Sequence, residues 1–347
     1  MQIIEETLSR VKAGAGVSFN NLSVIPLVAA NGAEPDYLTL DEALARGNVR
    51  VTETSEAGDV PELRLENLGE QPVLLLDGEE LVGAKQNRVL NHTILAPAKS
   101  TITIPVSCVE AGRWSHTSPE FSTKGRAFYA AGRARKADQV TASLRTSGTR
   151  HSRQGEVWED IAAKSRRMES YSDTAAMECL YEDYQDQVEE YLKAIEVVEG
   201  QAGAVFAING HIRGVELFDF AVTFRKLMPK LLRSYALDAI DEQDGSANSS
   251  PPDVMRFLSA VAAADGSEHP AVGVGDDIRI SGPGLAGGAL SAQDRVVHLC
   301  AFQLQEMGSH GQSRSGNLVR SSRRMRHYRS RGGNGLGVVY RDVEGEW

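Results

Sequence analysis

Short apolar runs separated by turn residues dominate the first third of the chain. The runs recur roughly every ten residues, a spacing typical of a β sandwich or a small β barrel. We therefore predict that the N-terminal half is β-rich. The runs that carry this prediction are Val49–Val51, Leu63–Leu65, Val73–Leu76, Val89–Leu95 and Ile102–Val106.

The spacing of apolar positions changes to three and four residues in the second half. Between residues 175 and 199 this spacing predicts one long amphipathic helix that ends at Gly200. Asn209-Gly210 lies between two alternating apolar runs, which predicts a β hairpin. Pro229 is predicted to be the first residue of a separate helix over residues 230–241. The predicted fold is α+β, a β-rich N-terminal half (sandwich or small barrel) packed with a mainly helical C-terminal half.

Local signals and composition divide the chain further. Thr39 and Glu42 have the spacing of a capping box before a short helix. Residues 1–118 form the predicted β-rich region with a polar motif, and residues 119–153 form a basic connector. Residues 154–308 form a helical region with a hairpin and a late strand. Residues 309–347 form a tail rich in arginine and glycine.

The charge balance bears on the kind of partner. The chain carries a formal net charge of -10, which disfavours general nucleic-acid coating. The tail contains eight arginines between residues 309 and 341, but only Tyr328 interleaves their dense cluster over residues 320–331 to stack on bases. Nucleic acid is therefore not the expected partner. Binding through this tail stays an alternative that predicts affinity falling steeply with salt.

Targeting and redox features are sparse. No apolar run approaches the ~18 residues of a membrane helix, and the N-terminus lacks the pattern of a signal peptide. Cys108, Cys179 and Cys300 lie far apart, and neither they nor the histidines have metal-site spacing. We expect a cytoplasmic protein with no membrane partner and no metal site of this kind. A homo-oligomer stays an open alternative for the state of the chain in solution.

A dense polar cluster interrupts the apolar runs between Asp77 and Arg88. Glu79, Glu80 and Glu110 are the candidate catalytic acids and bases. Adjacent strand residues point to opposite faces, so at most one of the first two is expected to face a pocket. Two carboxylates with separated pKa values can act as acid and base, or can hold Mg²⁺ with a phosphate substrate. The cofactor is unknown, with Mg²⁺ as a candidate, and the alternative is a turn with solvated or ion-paired carboxylates.

Cations and amides in the same region fit a phosphate or carboxylate ligand. Arginine offers a planar fork and lysine a point charge, while the amides can orient a base or a sugar. An equally weighted alternative is that these groups pair with neighbouring carboxylates as a structural network. Tryptophan can stack on a base, although a core or rim position is commoner for it. The candidate ligand-binding residues are Lys85, Gln86, Asn87, Arg88, Arg113 and Trp114.

Several segments of the chain together form a distinctive set: Asp77–Asn91, Ile104–Glu110 with Gly112-Arg113-Trp114, Phe218-Asp219, Phe224–Leu227 and Leu231–Ala236. They resemble a bacterial family of uncharacterised function, the ARG and rhodanese-phosphatase-superfamily-associated protein domain family, and the likeness covers roughly residues 15–305. The family name records genomic association with ADP-ribosylglycohydrolases and with rhodanese- or phosphatase-like proteins. The resemblance implies ADP-ribose or phosphate-ester metabolism and supplies no catalytic residues.

We therefore expect the chain to bind or hydrolyse a small phosphate-bearing molecule derived from ADP-ribose or a nucleotide. This function requires the motif side chains to converge on one concave pocket. The alternative is a non-catalytic interaction or oligomeric module that uses the helix predicted over residues 175–199. That helix must then expose an apolar stripe wider than its own fold covers.

Overall fold

The computed structural model describes residues 1–29, 34–243 and 252–304. The elements of its first half are α1 Gln2–Ser9, β1 Lys12–Ala13, β2 Val17–Phe19, β3 Leu22–Val28, β4 Leu38–Thr39, α2 Leu40–Ala45, β5 Val49–Glu53, β6 Glu62–Asn67, β7 Val73–Leu75, β8 Glu80–Gly83, β9 Arg88–Leu90, β10 Ile94–Ala96, β11 Ser100–Cys108, β12 Phe121–Ser122 and α3 Ala130–Ser147. The elements that follow are α4 Gln154–Arg167, α5 Glu178–Asp183, α6 Gln185–Ala194, β13 Gln201–Ile208, β14 His211–Phe218, α7 Ala221–Asp241, α8 Val254–Ala262, β15 Asp265–Pro270, β16 Asp276–Gly282, β17 Leu285–Ala292 and β18 Arg295–Gln303.

A large antiparallel sheet joins early and late parts of the chain. Its strand order is β1-β3-β13-β14-β18-β17-β16-β15, with β2 paired to β3. On one face, Phe206 and Phe302 pack with residues of α3, α6 and α7. On the other face, Val205 and Ala301 pack with residues of α1 and α8. Because successive strand residues point to opposite faces, helices on both sides bury every residue of β13 and β17, whereas β1, β2 and β15 at the edges stay largely exposed.

A second group of strands forms a barrel-like sheet in the N-terminal half. Its order is β12-β8-β9-β11-β6-β5, and a small sheet β10-β7-β4 lies beside it. Leu63, Leu65, Leu81 and Ile104 are completely buried in the core of this group. The fold is therefore α+β, as predicted, with a β-rich N-terminal half and helices mostly in the C-terminal half.

Two local predictions are confirmed. Thr39 and Glu42 form the capping box of α2, in which the Thr39 N–H donates to Glu42 Oε2 at 2.9 Å and the Glu42 N–H donates to Thr39 Oγ1 at 3.4 Å. β13 and β14 pair as an antiparallel hairpin. Its turn places Asn209 and Gly210 at φ angles of 52° and 75°, the left-handed values that this dipeptide tolerates.

The single helix predicted over residues 175–199 is wrong in its extent. Ala176 forms a β bridge with Glu110, so the chain is still extended just before α5. Tyr184 (φ −107°, ψ 16°) separates α5 from α6. Ile195 (φ −117°, ψ 103°) then ends α6 in an extended conformation. The apolar spacing of three and four continues through these breaks, which is why the pattern alone predicted one helix.

The apolar face of α6 is directed into the protein. Val188 and Tyr191 are 2% and 1% exposed, and Ile195 beyond the helix end is 4% exposed. All three belong to the core beneath α7. Nothing on this face therefore favours the interaction-module alternative, which needs an exposed apolar stripe there.

Pro229 lies inside α7 and does not begin a new helix, so that prediction is wrong. Proline removes one backbone hydrogen bond from a helix interior. The flanking residues Leu227, Met228, Leu231 and Leu232 are nevertheless buried in one core. We infer that their packing holds the helix together across the proline, since tertiary packing supplies most helix stability in proteins.

The sheet also contains β15, β16 and β17, which the sequence analysis did not predict. The sequence of β17 is rich in alanine and glycine rather than in the β-branched residues that mark strands. Its glycines permit close approach, because a Cβ on Gly288 would lie 2.6 Å from Arg279 Nη1. A Cβ on Gly287 would lie 2.4 Å from the Cys300 carbonyl oxygen.

Two further predictions concern membranes and the tail. Within the described ranges, the helices lack the combination of length and apolar composition needed to cross a membrane. The arginine-rich tail predicted over residues 309–347 lies outside the described residues.

Candidate functional site

The predicted polar motif forms the hairpin of β8 and β9, deep in the protein. Every residue from 73 to 96 except Val82 is buried. Across the hairpin, Glu80 pairs with Val89 and Leu81 pairs with Arg88. Residues directly opposite each other point to the same face, so Glu80 and Arg88 lie on opposite faces. The motif therefore presents its carboxylate and its guanidinium to two different environments.

Glu79 faces α7. Its carboxylate forms an ion pair with Lys230 and accepts a hydrogen bond from the Leu76 N–H at 2.9 Å. Lys230 also bonds Asp41 at 2.9 Å. Although burial alone lowers the pKa of Lys230, the two carboxylates raise it above its usual value. Glu79 is thus held between α7 and α2 by a charged partner.

Glu80 has a more distant charged partner and no hydrogen-bonded one among the described residues. It is completely buried, and neither carboxylate oxygen has a hydrogen-bond partner among the described residues. Its nearest cation is Arg126, whose Nε lies 3.8 Å from Glu80 Oε2. Burial raises the pKa of Glu80 to about 7, and the charge of Arg126 only partly opposes this shift. A carboxyl group with such a pKa exchanges protons readily at neutral pH, as a general acid or base must.

Glu110 is fully occupied by neighbouring groups. Its Oε2 accepts from the Asn87 N–H at 3.0 Å and pairs with Arg113 Nη2 at 2.6 Å. Its Oε1 accepts from the Thr174 hydroxyl at 2.9 Å. These bonds tie the motif loop to the end of β11 and to the segment before α5. Glu110 is therefore held by its own partners, and Asn87 links it to Glu178, which pairs with Arg126.

Lys85 and Arg113 bond mainly to backbone carbonyls. Lys85 Nζ donates to the carbonyls of Glu56 and Ala57, the latter at 2.6 Å. Arg113 Nη1 donates to the Ala84 carbonyl at 2.7 Å. These bonds satisfy the loop backbone, so the two cations hold loops in place. Lys85 also lies over the Trp114 ring, with its Nζ 5.2 Å from the ring centroid.

Arg88 lies with Gln86, Cys108 and Trp114. Arg88 Nη1 donates to Gln86 Oε1 at 3.0 Å, and the Cys108 thiol donates to the same oxygen at 3.2 Å. Burial raises the pKa of the Cys108 thiol, which keeps it neutral at pH 7. The Trp114 ring centroid lies 5.7 Å from Arg88 Cζ. Trp114 is 47% exposed and thus separates a buried cation from solvent.

Arg126, the cation nearest to Glu80, lines a surface cleft. The cleft has a volume of about 370 Å³ and lies among the segment after β12, α5, α6 and α7. Arg126 packs on the ring of Tyr181, with its Cζ 5.7 Å from the ring centroid. The lining includes Lys124, Arg126, Tyr181, Gln185, Glu189 and Arg233. The cleft therefore combines cations, an aromatic ring and hydrogen-bonding side chains.

Glu178 connects the cleft to the motif. It pairs with Lys124 and with Arg126, whose Nη2 lies 2.9 Å from Glu178 Oε1. Its other oxygen accepts from Asn87 Nδ2 at 3.2 Å. Burial alone raises the pKa of Glu178, but the two cations and Asn87 lower it below its usual value. The hydrogen bonds of Arg126 thus go to Glu178, which leaves Glu80 unbonded behind it.

A separate charged network surrounds α3, within the residues predicted to form a basic connector. Arg133 forms a bidentate pair with Glu216, at 2.6 Å and 3.2 Å. Lys136 Nζ lies 2.7 Å from Asp77 Oδ1. Arg133, Lys136 and Glu216 are completely buried. These pairs bind α3 to the large sheet and to the start of the motif.

Potential metal donors occur beside this network. Glu216, His298 and Cys300 place one donor atom each within 4.8 Å of one another. However, Glu216 is already bonded to Arg133, and its Oε2 lies 3.0 Å from His298 Nε2. Burial raises the pKa of the Cys300 thiol, whereas a metal ligand must be a thiolate. The chemistry of these three residues favours a hydrogen-bonded network over a metal centre.

Several residues of the Glu80 environment were not selected from the sequence. Lys124 and Arg126 belong to the basic stretch over residues 119–153, and Arg233 belongs to a segment used for the family resemblance. The basic composition of the first stretch and the family resemblance of the second were what the sequence offered for finding these three residues. Glu178 and Tyr181 carried no signal, because the pattern placed them in a long helix with an acidic face.

Comparisons with known proteins give one match. A family model described as the ARG and Rhodanese-Phosphatase-superfamily-associated Protein domain matches residues 10–302. Searches among curated proteins and among solved structures found no match. The matched range covers the motif hairpin, the cleft and all three sheets apart from the last residue of β18.

Proposed function

The chain belongs to the ARG and Rhodanese-Phosphatase-superfamily-associated Protein domain family, and from that premise we propose that it binds and hydrolyses a small phosphate-bearing molecule. The ligand class is derived from ADP-ribose or a nucleotide. The ligand occupies the cleft lined by Arg126, and Glu80 acts as the general acid and base.

The carboxyl of Glu80, which is buried and accepts no hydrogen bond from the described residues, carries this proposal. A buried polar group without a partner costs free energy, so a purely structural role gives no reason to retain it. Its pKa of about 7 suits proton transfer at neutral pH. Arg126 stands between this carboxyl and the cleft, because it contacts the first and lines the second.

The composition of the cleft supports the ligand class. The lining contains three cations that can bind phosphate oxygens, Lys124, Arg126 and Arg233, each of which is paired with a carboxylate that phosphate must displace. The lining carboxylates Glu182 and Glu189 can accept hydrogen bonds from ribose hydroxyls. A volume of about 370 Å³ falls within the range of small-molecule sites.

Binding and chemistry are linked through Arg126. A phosphate competes with Glu178 for the guanidinium, and a shift of Arg126 towards the phosphate uncovers Glu80. Protonated Glu80 then gives its proton to the leaving oxygen, while a water oxygen attacks the phosphorus or carbon atom from which that oxygen departs. The attacking water loses one proton, and the Glu80 carboxylate takes up a proton in turn, which returns the group to its starting state.

A thermal-shift screen of the full chain tests binding. The ligands are ADP-ribose, nucleotides and phosphosugars, each with and without Mg²⁺. A ligand at 100-fold its dissociation constant stabilises by about 2.7 kcal/mol. We expect a shift in the wild type that is lost in Arg126→Ala and kept in Arg145→Ala, an exposed arginine on α3.

Turnover of the same ligand tests the role of Glu80. Glu80→Gln is expected to keep the thermal shift and to lose roughly 10²- to 10⁴-fold in hydrolysis rate. The absence of any shift with all phosphate compounds would overturn the proposal. A full shift in folded Arg126→Ala would remove the cleft as the site, and unchanged turnover in Glu80→Gln would remove the assigned acid.

A further inference from the structure

The guanidinium of Arg88 has two hydrogen-bond donors without acceptors. The side chain is completely buried, and its Nε and Nη2 have no partner among the described residues. Only Nη1 is used, in the bond to Gln86 Oε1 at 3.0 Å. Gln86 is itself fixed, because its Nε2 donates to the Glu110 carbonyl at 3.0 Å. The orientation of the guanidinium is thus set by its bonded side.

The two free nitrogens have a specific geometry. Nε and Nη2 form one edge of the guanidinium, on which two parallel N–H groups point in the same direction. This edge matches two oxygens of one carboxylate or phosphate group. A buried cation is costly unless an anion compensates it. Arg88 therefore has both the charge and the free edge of an oxyanion site.

An unpaired acceptor lies in the same surroundings. Glu53 Oε2 is buried without a partner among the described residues. A Cβ built on Gly58 would lie 3.3 Å from this oxygen and 3.3 Å from Trp114 Cζ2, so the carboxylate lies beside the ring that covers Arg88. The other Glu53 oxygen is used, since it accepts from the Lys85 N–H at 3.2 Å.

We propose that Arg88 and Glu53 form a second site, beneath Trp114, for a protonated phosphate group. Two phosphate oxygens accept from Nε and Nη2 of Arg88, and a phosphate hydroxyl donates to Glu53 Oε2. The need for a donor separates phosphate from sulfate. Phosphate carries a proton at neutral pH, whereas sulfate carries none and would meet the Glu53 carboxylate as a repelling charge.

Trp114 and Lys85 form the cover of this site. Lys85 Nζ lies 5.2 Å from the Trp114 ring centroid, and Lys85 also bonds the carbonyls of Glu56 and Ala57. The segment with Gly58 therefore packs on the same ring. Entry of phosphate requires only that the half-exposed Trp114 ring and this segment move.

This site is independent of the cleft. Arg88 and Glu80 face opposite sides of the β8–β9 hairpin, and the cleft lining does not include Arg88 or Glu53. The second site stands if the proposed hydrolysis fails, and the reverse also holds. Arg126→Ala is accordingly expected to leave phosphate binding at Arg88 unchanged.

Calorimetric titration of the full chain with inorganic phosphate and with sulfate at pH 7 tests the site. We expect the wild type to bind phosphate at least roughly tenfold more tightly than sulfate. Sulfate has no proton to donate to the buried Glu53 carboxylate and is repelled by its charge, and both effects weaken sulfate binding. Arg88→Met should weaken phosphate binding roughly 100-fold, because two charge-assisted hydrogen bonds are lost. Its melting temperature should stay close to that of the wild type, since the loss of the Gln86 bond is offset by removal of a buried cation whose Nε and Nη2 have no acceptor among the described residues.

Glu53→Gln supplies a second readout at a partly exposed position. Its amide nitrogen can donate to sulfate, so the preference for phosphate should fall to within roughly threefold. No phosphate binding by the wild type would overturn the site. Equal binding of phosphate and sulfate would overturn the role of Glu53, and full phosphate binding by folded Arg88→Met would overturn that of Arg88. A melting temperature that falls in Arg88→Met without any phosphate effect would mean that the site holds an ordered water only.

Discussion

Glu79 and Glu80 are neighbours in sequence with opposite electrostatic surroundings. Lys230 compensates the charge of Glu79, whereas Arg126 approaches Glu80 no closer than 3.8 Å because its hydrogen bonds go to Glu178. Both carboxylates are completely shielded from water. Burial raises the pKa of both carboxylates, and Lys230 opposes this shift at Glu79. At Glu80 the more distant Arg126 opposes it only partly, and the pKa rises to about 7.

Replacing Glu80 by glutamine is expected to change how stability depends on pH. A raised folded-state pKa stabilises the protein fully below the unfolded pKa, here about 4.5, and this contribution is lost as the pH rises to about 7. The wild type should lose up to about 3 kcal/mol of unfolding free energy over this window. Glu80→Gln should lose less and should be the more stable protein at pH 8. Urea unfolding at pH 5 and pH 8 measures both effects.

Glu79→Gln is the matched control for this measurement. It removes the partner of Lys230 and leaves a buried cation with only Asp41 beside it, so it should destabilise the protein at pH 8. The two adjacent substitutions are thus expected to have opposite signs. Equal pH profiles for the wild type and Glu80→Gln would contradict a raised pKa of Glu80.

Only part of this site could be predicted from the sequence. Strand alternation indicates that Glu79 and Glu80 do not share a face, and the apolar flanks of the motif indicate that its charges are buried. The partners Arg126, Glu178 and Lys230 lie far along the chain, and no local spacing connects them to the motif. Those distant residues determine which of the two carboxylates is left without a hydrogen-bond donor.

Helices and strands show the same limit at the scale of elements. The capping box of Thr39 and the Asn209-Gly210 hairpin were predictable because the determining atoms lie within a few residues. The break at Tyr184 and the continuation of α7 through Pro229 depend on distant packing. Tyr184 donates its hydroxyl to the Met168 carbonyl at 2.6 Å, a tertiary contact that periodicity does not encode.

Two glycines at neighbouring helix ends differ in backbone conformation. Gly148 ends α3 with a φ angle of 69°, and Gly155 lies in the first turn of α4. A Cβ at either position would meet no atom of the described residues within 4 Å. Gly148→Ala should cost about 1 kcal/mol because of the left-handed backbone. Gly155→Ala should stabilise by about 0.5 kcal/mol.

Chemical unfolding of the two glycine variants gives the comparison directly. Both substitutions add one methyl group in open space, so steric crowding cancels and only the backbone conformation differs. A stabilising Gly148→Ala would contradict the left-handed end of α3, and with it the sharp turn that leads into α4.

At the scale of the whole molecule, α3 connects the barrel-like region to the large sheet. Its Lys136 bonds Asp77 at the start of the motif, and its Arg133 bonds Glu216 in β14. The stretch that composition marks as a basic connector thus contains cations placed at the centre of the protein. Each buried cation on this helix meets a carboxylate from another element, which is the condition under which charges are tolerated in a core.

A double-mutant cycle on Arg133 and Glu216 tests whether this connection is energetically coupled. Either single change, Arg133→Met or Glu216→Gln, leaves a buried charge without its main partner and should cost about 3–5 kcal/mol. The double variant should lose less than the sum of the two by about 2 kcal/mol or more. Arg145→Met, at an exposed position of the same helix, should stay within about 0.5 kcal/mol of the wild type. Strict additivity in urea unfolding would mean that the pair does not couple α3 to the sheet.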